Sequence, residues 1–193
     1  MAAFFGVLHE FLKVHPSIEI DVCESVLNGG WEALEQGRVD LIVGSPGPVP
    51  AQKGYRAIPL VSHDLVPVIA TSHELAEIST KPNDAEALLP KIRRVITHDT
   101  STIDVTRSAG LSSDGKHFYV QNIDQKTEAI LAGIGIGHLP RKRIQEYLDN
   151  GKLIALHLQE EPAQESFMAW RISHKGKGLQ MLTQELSTVF SGK

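Results

Sequence analysis

The chain has 193 residues, room for one large domain or two smaller lobes. Its formal net charge of −4 lacks the basic excess that neutralises phosphates, so any contact with DNA must come from a segment outside this chain. The single cysteine, Cys23, excludes an internal disulfide, and no apolar run approaches the roughly 18 residues of a membrane helix.

The N-terminal third predicts alternating helices and strands. Apolar residues at helical spacing predict a helix over residues 3–14, and the alternating segment Ile18–Val22 predicts a half-buried strand. Cys23 continues that strand-like run, so we expect a small buried thiol rather than a nucleophile. The first residues carry no basic leader, so a cytoplasmic protein is the expectation.

A second helix and strand follow. Asn28 is a suitable N-cap for a helix over Gly29–Gln36, which Gly37 would end. The β-branched run Val39–Gly44 predicts a strand covered on both faces. The order helix, strand, helix, strand favours a parallel sheet with crossover helices.

The rest of the chain continues as an α/β series. The predicted strands share apolar, β-branched character: Tyr55–Leu60, Leu65–Ala70, Val95–Thr97, His117–Ile123, Ile134–Leu139, Lys152–Leu156 and Phe167–Ile172. The predicted helices have amphipathic spacing: Asp84–Leu89, Asp124–Ala132 with Asp124 or Asn122 as N-cap, Pro140 to about Leu148, and 178–190. Trp31 and Trp170 are expected in the core rather than as stacking platforms.

Three glycines, Gly133, Gly135 and Gly137, resemble part of a dinucleotide fingerprint. In that fingerprint the glycines follow a strand and open a helix, whereas here they follow a helix and precede a strand. We therefore expect Gly133 to cap the preceding helix and the other two to allow close backbone approach.

The segment Thr97–Thr102 places His, Asp, Thr and Ser together after a predicted strand. These residues are sequential, whereas a hydrolytic triad brings groups from separate segments, and the nine histidines form no H-x-x-x-H or H-E-x-x-H pair. Catalysis and a metal site are therefore not expected. Two roles remain open: binding of a small polar molecule at a strand end, or simple capping of a turn by Thr100 or Ser101.

Four segments, in this order and over nearly the whole chain, resemble the C-terminal effector-binding domain of LysR-type transcription regulators. They are Phe11–Val22, Leu34–Gly44, Leu65–Ala76 and Ile130–Leu156. The pair NGGWEAL and GRVDLIVG is similar to one subgroup of that family.

The resemblance implies an α/β fold of two Rossmann-like lobes, like those of periplasmic binding proteins, joined by two crossover segments. The first lobe would comprise residues 1–66 plus 174–193, and the second residues 67–173. It also implies a DNA-binding winged helix-turn-helix that precedes this chain. The family's domain opens with a strand that donates ligand contacts, so we expect this chain to lack that strand and to be marginally stable.

The resemblance also implies a ligand site in the cleft between the lobes. Carried over by position, its residues are Leu27, Asn28, Ser45, His98, Asp99, Thr100, Ser101, Asn122 and Ile123. Several relatives have an arginine or threonine at the equivalents of Ser45 and Leu27. The small hydroxyl and the apolar side chain found here argue against a strongly anionic effector.

The expected function is that of an effector-sensing domain. A small molecule would bind between the lobes, shift the population of their arrangements, and change the DNA contacts of a homodimer or homotetramer. No cofactor, metal, membrane or catalytic residue is expected. The alternatives are a periplasmic-type solute-binding protein, which needs an export signal, and a small α/β enzyme, which needs converging catalytic groups.

Overall fold

The structure is a computed structural model that describes residues 2–51, 54–61, 64–77, 89–102, 115–156 and 165–191. The chain forms two compact units. Unit 1 comprises Met1–Ser62, Thr100–Asp104 and Gln164–Lys193, and unit 2 comprises His63–Asp99 and Val105–Ala163. These boundaries differ from the predicted lobes, because the strand near residue 170 and the stretch beginning at Thr100 belong to unit 1.

Helices and strands alternate along most of the chain. The α-helices are α1 (Ala2–Val14), α2 (Gly29–Glu35), α3 (Ile123–Leu131), α4 (Arg141–Asp149) and α5 (Lys177–Phe190). The strands are β1 (Leu41–Pro46), β2 (Tyr55–Leu60), β3 (Leu65–Ala70), β4 (Arg94–Thr97), β5 (His117–Val120), β6 (Gly137–Pro140), β7 (Leu153–Ala155) and β8 (Ser166–Arg171). The helix predicted at Asp84–Leu89 falls outside the described residues except for Leu89, where a 3-10 turn begins. No helix in the described part is long and apolar enough to cross a membrane.

Unit 1 is built on a three-stranded sheet in the order β1-β8-β2. Both neighbours run antiparallel to β8, so that Ala169 pairs with Ile42 on one side and with Ala57 on the other. Trp31 and Leu34 of α2 pack on this sheet and are buried, as predicted for Trp31. The indole N–H of Trp31 donates a 2.8 Å hydrogen bond to the carbonyl oxygen of Pro46, which satisfies its one polar atom.

Three predictions for unit 1 are wrong. Residues 18–26 form no strand, because none of the described strands lies beside them to complete a hydrogen-bond ladder. Cys23, in that segment, is consequently exposed rather than buried. The strand β1 is not covered on both faces, since Ile42 is buried while Val43 is exposed.

Unit 2 combines antiparallel and parallel pairing. The strand β3 pairs antiparallel with β6 and β7, whereas β4 and β5 are parallel. A parallel bridge between Arg94 and Ile136 joins the two groups. Among the described residues, the predicted parallel pairing is therefore found only between β4 and β5 and at the bridge to Ile136. The other strand pairs of both units are antiparallel.

The helix α3 covers the junction of β4 and β6 in unit 2. It packs against β3, β4 and β6, and its Ile130 is fully buried. The core beneath it is aliphatic: Val66, Val68, Ala70, Val95, Val120, Ala129, Leu139, Ile144 and Leu153. This run of branched side chains explains why β3 and β4 could be recognised from sequence.

The three glycines after α3 have the roles that their order predicts. Gly133 adopts φ +76° just after the helix, a left-handed conformation that ends helices. A β-carbon on Gly135 would lie 2.0 Å from the carbonyl oxygen of Arg93, so only glycine lets β4 and the chain before β6 approach. A β-carbon on Gly137 would lie 2.9 Å from Cε of Lys126.

Lys126 introduces a cation into this apolar interior. It is the fourth residue of α3 and only 6% exposed, and its stem lies against Gly137. Burial lowers the pKa of the Lys126 amine to about 8, because the charged form loses its hydration. The position lies on the same helix face as Ala129 and Ile130, where an apolar residue would be usual.

Replacing Gly135 by alanine is expected to destabilise the protein by about 1–3 kcal/mol or more, because the added methyl group meets a backbone oxygen that cannot move alone. Gly6→Ala is the control, since a β-carbon there meets nothing within 4 Å and alanine favours the helix by roughly 0.5–1 kcal/mol. Chemical denaturation of both variants measures the difference. Equal stability of the two would contradict the close approach.

Replacing Lys126 by methionine is expected to remove a pH dependence of stability. The folded-state pKa of Lys126 is about 8, below the usual 10.5. Below pH 8 the buried ammonium is charged and lowers the free energy of unfolding by its full amount, and this loss disappears as the pH rises toward 10.5. Over that window wild type should gain on the order of 3 kcal/mol of unfolding free energy relative to Lys126→Met. Denaturation of both proteins across the window measures the gain, and a constant difference would show that no charged amine is buried.

Candidate functional site

A buried carboxylate, that of Glu32, organises the candidate site in unit 1. Its side chain is 5% exposed and accepts hydrogen bonds from Ser101 Oγ at 2.7 Å, Thr102 N at 2.6 Å and Thr102 Oγ1 at 2.7 Å. Gln36 Nε2 lies 3.2 Å and Arg38 Nη2 3.5 Å from Glu32 Oε1. The carboxylate therefore holds the segment that follows β4 against the helix α2.

Thr100, the residue before Ser101, is attached to the segment that precedes α2. Its Oγ1 accepts a 2.9 Å hydrogen bond from Val26 N and donates a 3.2 Å bond to Val26 O, and its backbone N–H donates to the same carbonyl. A β-carbon on Gly29 would lie 1.9 Å from Thr100 Oγ1, so the contact requires glycine there. Thr100 thus bonds to the segment before α2, and Ser101 bonds to α2 itself.

Ser45 lies beside Gly30 as Thr100 lies beside Gly29. It lies near the end of β1, and its Oγ would be 2.4 Å from a β-carbon on Gly30. Both glycines of the NGG sequence therefore admit a hydroxyl side chain close to the start of α2. The spacing of apolar residues along the sequence cannot predict these glycine–hydroxyl contacts, because Ser45 and Thr100 come from distant parts of the chain.

Leu27 and Asn28 form the turn into α2. Leu27 has φ +54°, which is uncommon for a leucine and costs roughly 1–2 kcal/mol. Asn28 is buried and precedes the helix as predicted, but its side chain makes no capping hydrogen bond. Strain of this kind is often found where a backbone is shaped for a ligand.

Four of the sequence-predicted residues lie in unit 2, at the ends of β4 and β5. His98 N donates a 2.9 Å hydrogen bond to Val120 O, which brings the segment His98-Asp99 next to the end of β5. The imidazole of His98 stacks on Tyr119, with ring centroids 4.9 Å apart and planes 22° from parallel. Asp99 is half-buried.

Asn122 is the N-cap of α3, one of the two residues that the sequence predicted for this role. Its side-chain oxygen accepts a 2.9 Å hydrogen bond from Gln125 N, and Ile123 begins the helix. The carboxylate of Asp124 in the first turn pairs with Arg143 of α4. This edge of unit 2 thus presents polar side chains from two strands and one helix.

Two polar residues that matter here were not identified from sequence, Glu32 and Lys126. Each occupies a buried position of its helix: Glu32 lies between the buried Trp31 and Ala33, and Lys126 lies one turn before the buried Ala129 and Ile130. A charged residue on the apolar face of a predicted helix is the signal that could have found them. Glu32 lies within the segment NGGWEAL and Lys126 lies outside the four segments that carry the resemblance, but neither residue was carried over as a ligand contact.

The polar groups of the unit 1 site are joined to one another by hydrogen bonds. Within the described ranges no group of three or more His, Cys, Asp or Glu side chains is placed to hold a metal ion. The hydroxyls of Ser101 and Thr100 donate to a carboxylate and to a backbone carbonyl, respectively.

Curated relatives of this chain are named as HTH-type transcriptional regulators. The Escherichia coli K12 protein named "Uncharacterized HTH-type transcriptional regulator YeeY" is 28% identical over 148 residues, which cover 77% of this chain and 47% of the relative. The "Probable HTH-type transcriptional regulator YhaJ" of the same strain is 24% identical over 192 residues, covering 99% of this chain and 63% of that protein. The chain therefore spans about half to two-thirds of the length of these relatives.

A solved structure and a family profile agree with these relatives. The regulatory domain of CcmR from Synechocystis PCC6803, solved in complex with 2-PG, has a TM-score of 0.72 at 18% identity and covers 99% of this chain and 93% of its own. The two chains share the α/β fold of such regulatory domains. The profile of the "LysR substrate binding domain" matches residues 3–189. The chain belongs to the LysR substrate-binding domain family.

Proposed function

We propose that this chain is the sensing domain of a transcription regulator, which binds a small-molecule effector and thereby controls transcription. The observation that carries the proposal is the family match over residues 3–189. The relatives named as HTH-type regulators and the CcmR domain with its bound 2-PG support it.

The proposed effector contacts in unit 1 lie around the start of α2. Thr100, Ser101 and Ser45 present polar atoms there, and Leu27 and Asn28 shape the turn. Because the Thr100 and Ser101 hydroxyl protons are engaged by Val26 and Glu32, these oxygens would serve an effector as acceptors.

The proposed contacts in unit 2 lie at the ends of β4 and β5. The exposed imidazole of His98 and the amide of Asn122 are suited to hydrogen bonding, and the half-buried Ile123 supplies apolar surface. Asp99 is the fourth ligand contact that the family resemblance implies in unit 2.

The proposed mechanism is a shift between two arrangements of a larger protein. An effector can shift such a balance only by its differential affinity for the two arrangements. The change would pass through a homodimer or homotetramer to a winged helix-turn-helix that precedes this domain and makes the DNA contacts. Such a protein would work in the cytoplasm, where the DNA is, without a membrane or a cofactor.

We do not propose an enzyme. Acyl transfer, for example, needs a hydroxyl that donates to an imidazole base. Ser101 instead donates to the Glu32 carboxylate, and His98 stacks on Tyr119. A solute-binding protein would share the fold, but the relatives named as HTH-type regulators favour a sensor.

Incubating the purified chain with a metabolite collection is expected to raise its melting temperature with a few related compounds and to consume none of them. A ligand at 100 times its Kd stabilises the folded state by about 2.7 kcal/mol. Thermal-shift measurements, with mass spectrometry of the compounds before and after, report binding and turnover separately. Turnover of a bound compound would favour the enzyme alternative instead.

Replacing Glu32 by glutamine is expected to weaken both stability and effector binding. An amide offers one acceptor oxygen where the carboxylate offers two, so at least one donor of Ser101 or Thr102 loses its partner, at about 1–3 kcal/mol. The control is Glu128→Gln on the exposed face of α3, which should change stability by less than about 0.5 kcal/mol. Denaturation curves and titration with a compound from the screen give the two readouts. If Glu32→Gln bound the compound as wild type does, the attachment of Ser101 and Thr102 would have no part in binding.

A further inference from the structure

Lys126 is a buried cation that the proposed contacts do not use. Across the described residues, neither a hydrogen bond nor an ion pair involves its ammonium group, and burial alone accounts for its lowered pKa. An ammonium taken out of water without a partner costs several kcal/mol. Methionine or leucine could fill the same position on α3 without that cost.

The surroundings accommodate this lysine specifically. Its stem runs past Gly137, where any β-carbon would lie 2.9 Å from Cε. Ile130 and the carbonyl of Val95 border the same position, so the stem is packed between an aliphatic side chain and backbone. A glycine on β6 therefore makes room for a long side chain at a place that the apolar core would otherwise close.

The first turn of α3, which carries Lys126, lies at the polar edge of unit 2. The parallel strands β4 and β5 end at the same edge, and α3 begins there directly after β5. Lys126 is one turn from the N-cap residue Asn122, and its Cε lies against Gly137. The first turn of a helix also favours negative charge, which adds to the attraction of the ammonium.

The carboxylates near this edge leave the charge of Lys126 uncompensated. Asp124, two residues earlier, is paired with Arg143. Burial is the cause of the lowered pKa of Lys126. A group that is buried, charged and unpartnered beside polar side chains is a typical ligand-binding group.

We propose that Lys126 binds the anionic group, a carboxylate or a phosphate, of the effector. The inference rests on the proposed function and names the chemical class of the ligand. It opposes the expectation drawn from Leu27 and Ser45, because the positive charge is supplied from unit 2 rather than from those positions. A buried ammonium binds an anion strongly, since little water competes for either partner.

The test compares charged compounds with their neutral counterparts. The panel contains small carboxylates and phosphate monoesters, each beside its amide or alcohol, beginning with phenylacetate and phenylacetamide and with glycerol 3-phosphate and glycerol. Wild type should be stabilised by an anionic member and not by its neutral partner. The carboxylate and phosphate arms show which anion the site accepts.

Two variants of the whole chain test whether the anion binds at Lys126. Lys126→Met should fold at least as stably as wild type, which a melting curve checks, and should bind the anion at least about tenfold more weakly. Lys142→Met removes an exposed lysine of α4 in the same unit and should bind as wild type does. Neutral compounds should not distinguish the three proteins.

Four results would overturn the proposal. Equal binding of the anion by wild type and Lys126→Met, or equal loss in Lys142→Met, would remove the assignment to Lys126. Binding of neutral compounds alone would reject the anionic class and leave the sensing function standing. Failure of wild type to bind any compound, in this panel and in the metabolite collection, would count against the sensing function and the Lys126 assignment together.

Discussion

The hydrogen bonds to the Glu32 carboxylate are the constraint on which the arrangement of unit 1 depends. They attach a short stretch from the middle of the chain to a helix formed by residues about seventy positions earlier. A buried carboxylate needs several donors to offset its lost hydration, and Ser101 and Thr102 supply three of them. The backbone of Thr100 and the glycine at position 29 complete the attachment. The residues Thr100 to Thr102 are therefore held as part of unit 1.

Sequence reasoning succeeded where the signal is local or strongly periodic. The cap at Asn122, the left-handed Gly133 and the close approach at Gly135 follow from the order of residues around one helix. The strands β3 and β4 are rich in branched apolar residues and are buried, so their composition identified them. The segments that carried the family resemblance include β3 and the glycines after α3, but neither β4 nor Asn122.

Sequence reasoning failed where a property depends on a distant partner. Alternation in Ile18–Val22 predicted a strand, but a strand exists only beside a neighbour, and none of the described strands adjoins it. The directions of the strands in unit 1 are set by β8, which lies more than a hundred residues after β2. Glu32 and Lys126 were missed for a related reason. The free-energy cost of burying a charge depends on the groups around it, and only the folded chain brings those groups together.

The position of β8 between β1 and β2 has a consequence for the order in which the chain can fold during synthesis. In the described structure neither β1 nor β2 has another strand to pair with, so the sheet of unit 1 cannot assemble until β8 has left the ribosome. The described strands of unit 2 are all complete by Ala155 and can assemble first. The N-terminal segment must therefore wait, with the apolar side chains of β1 and β2 unprotected, through the synthesis of an entire second unit. Apolar strands left unpaired in a nascent chain are prone to aggregate during that interval.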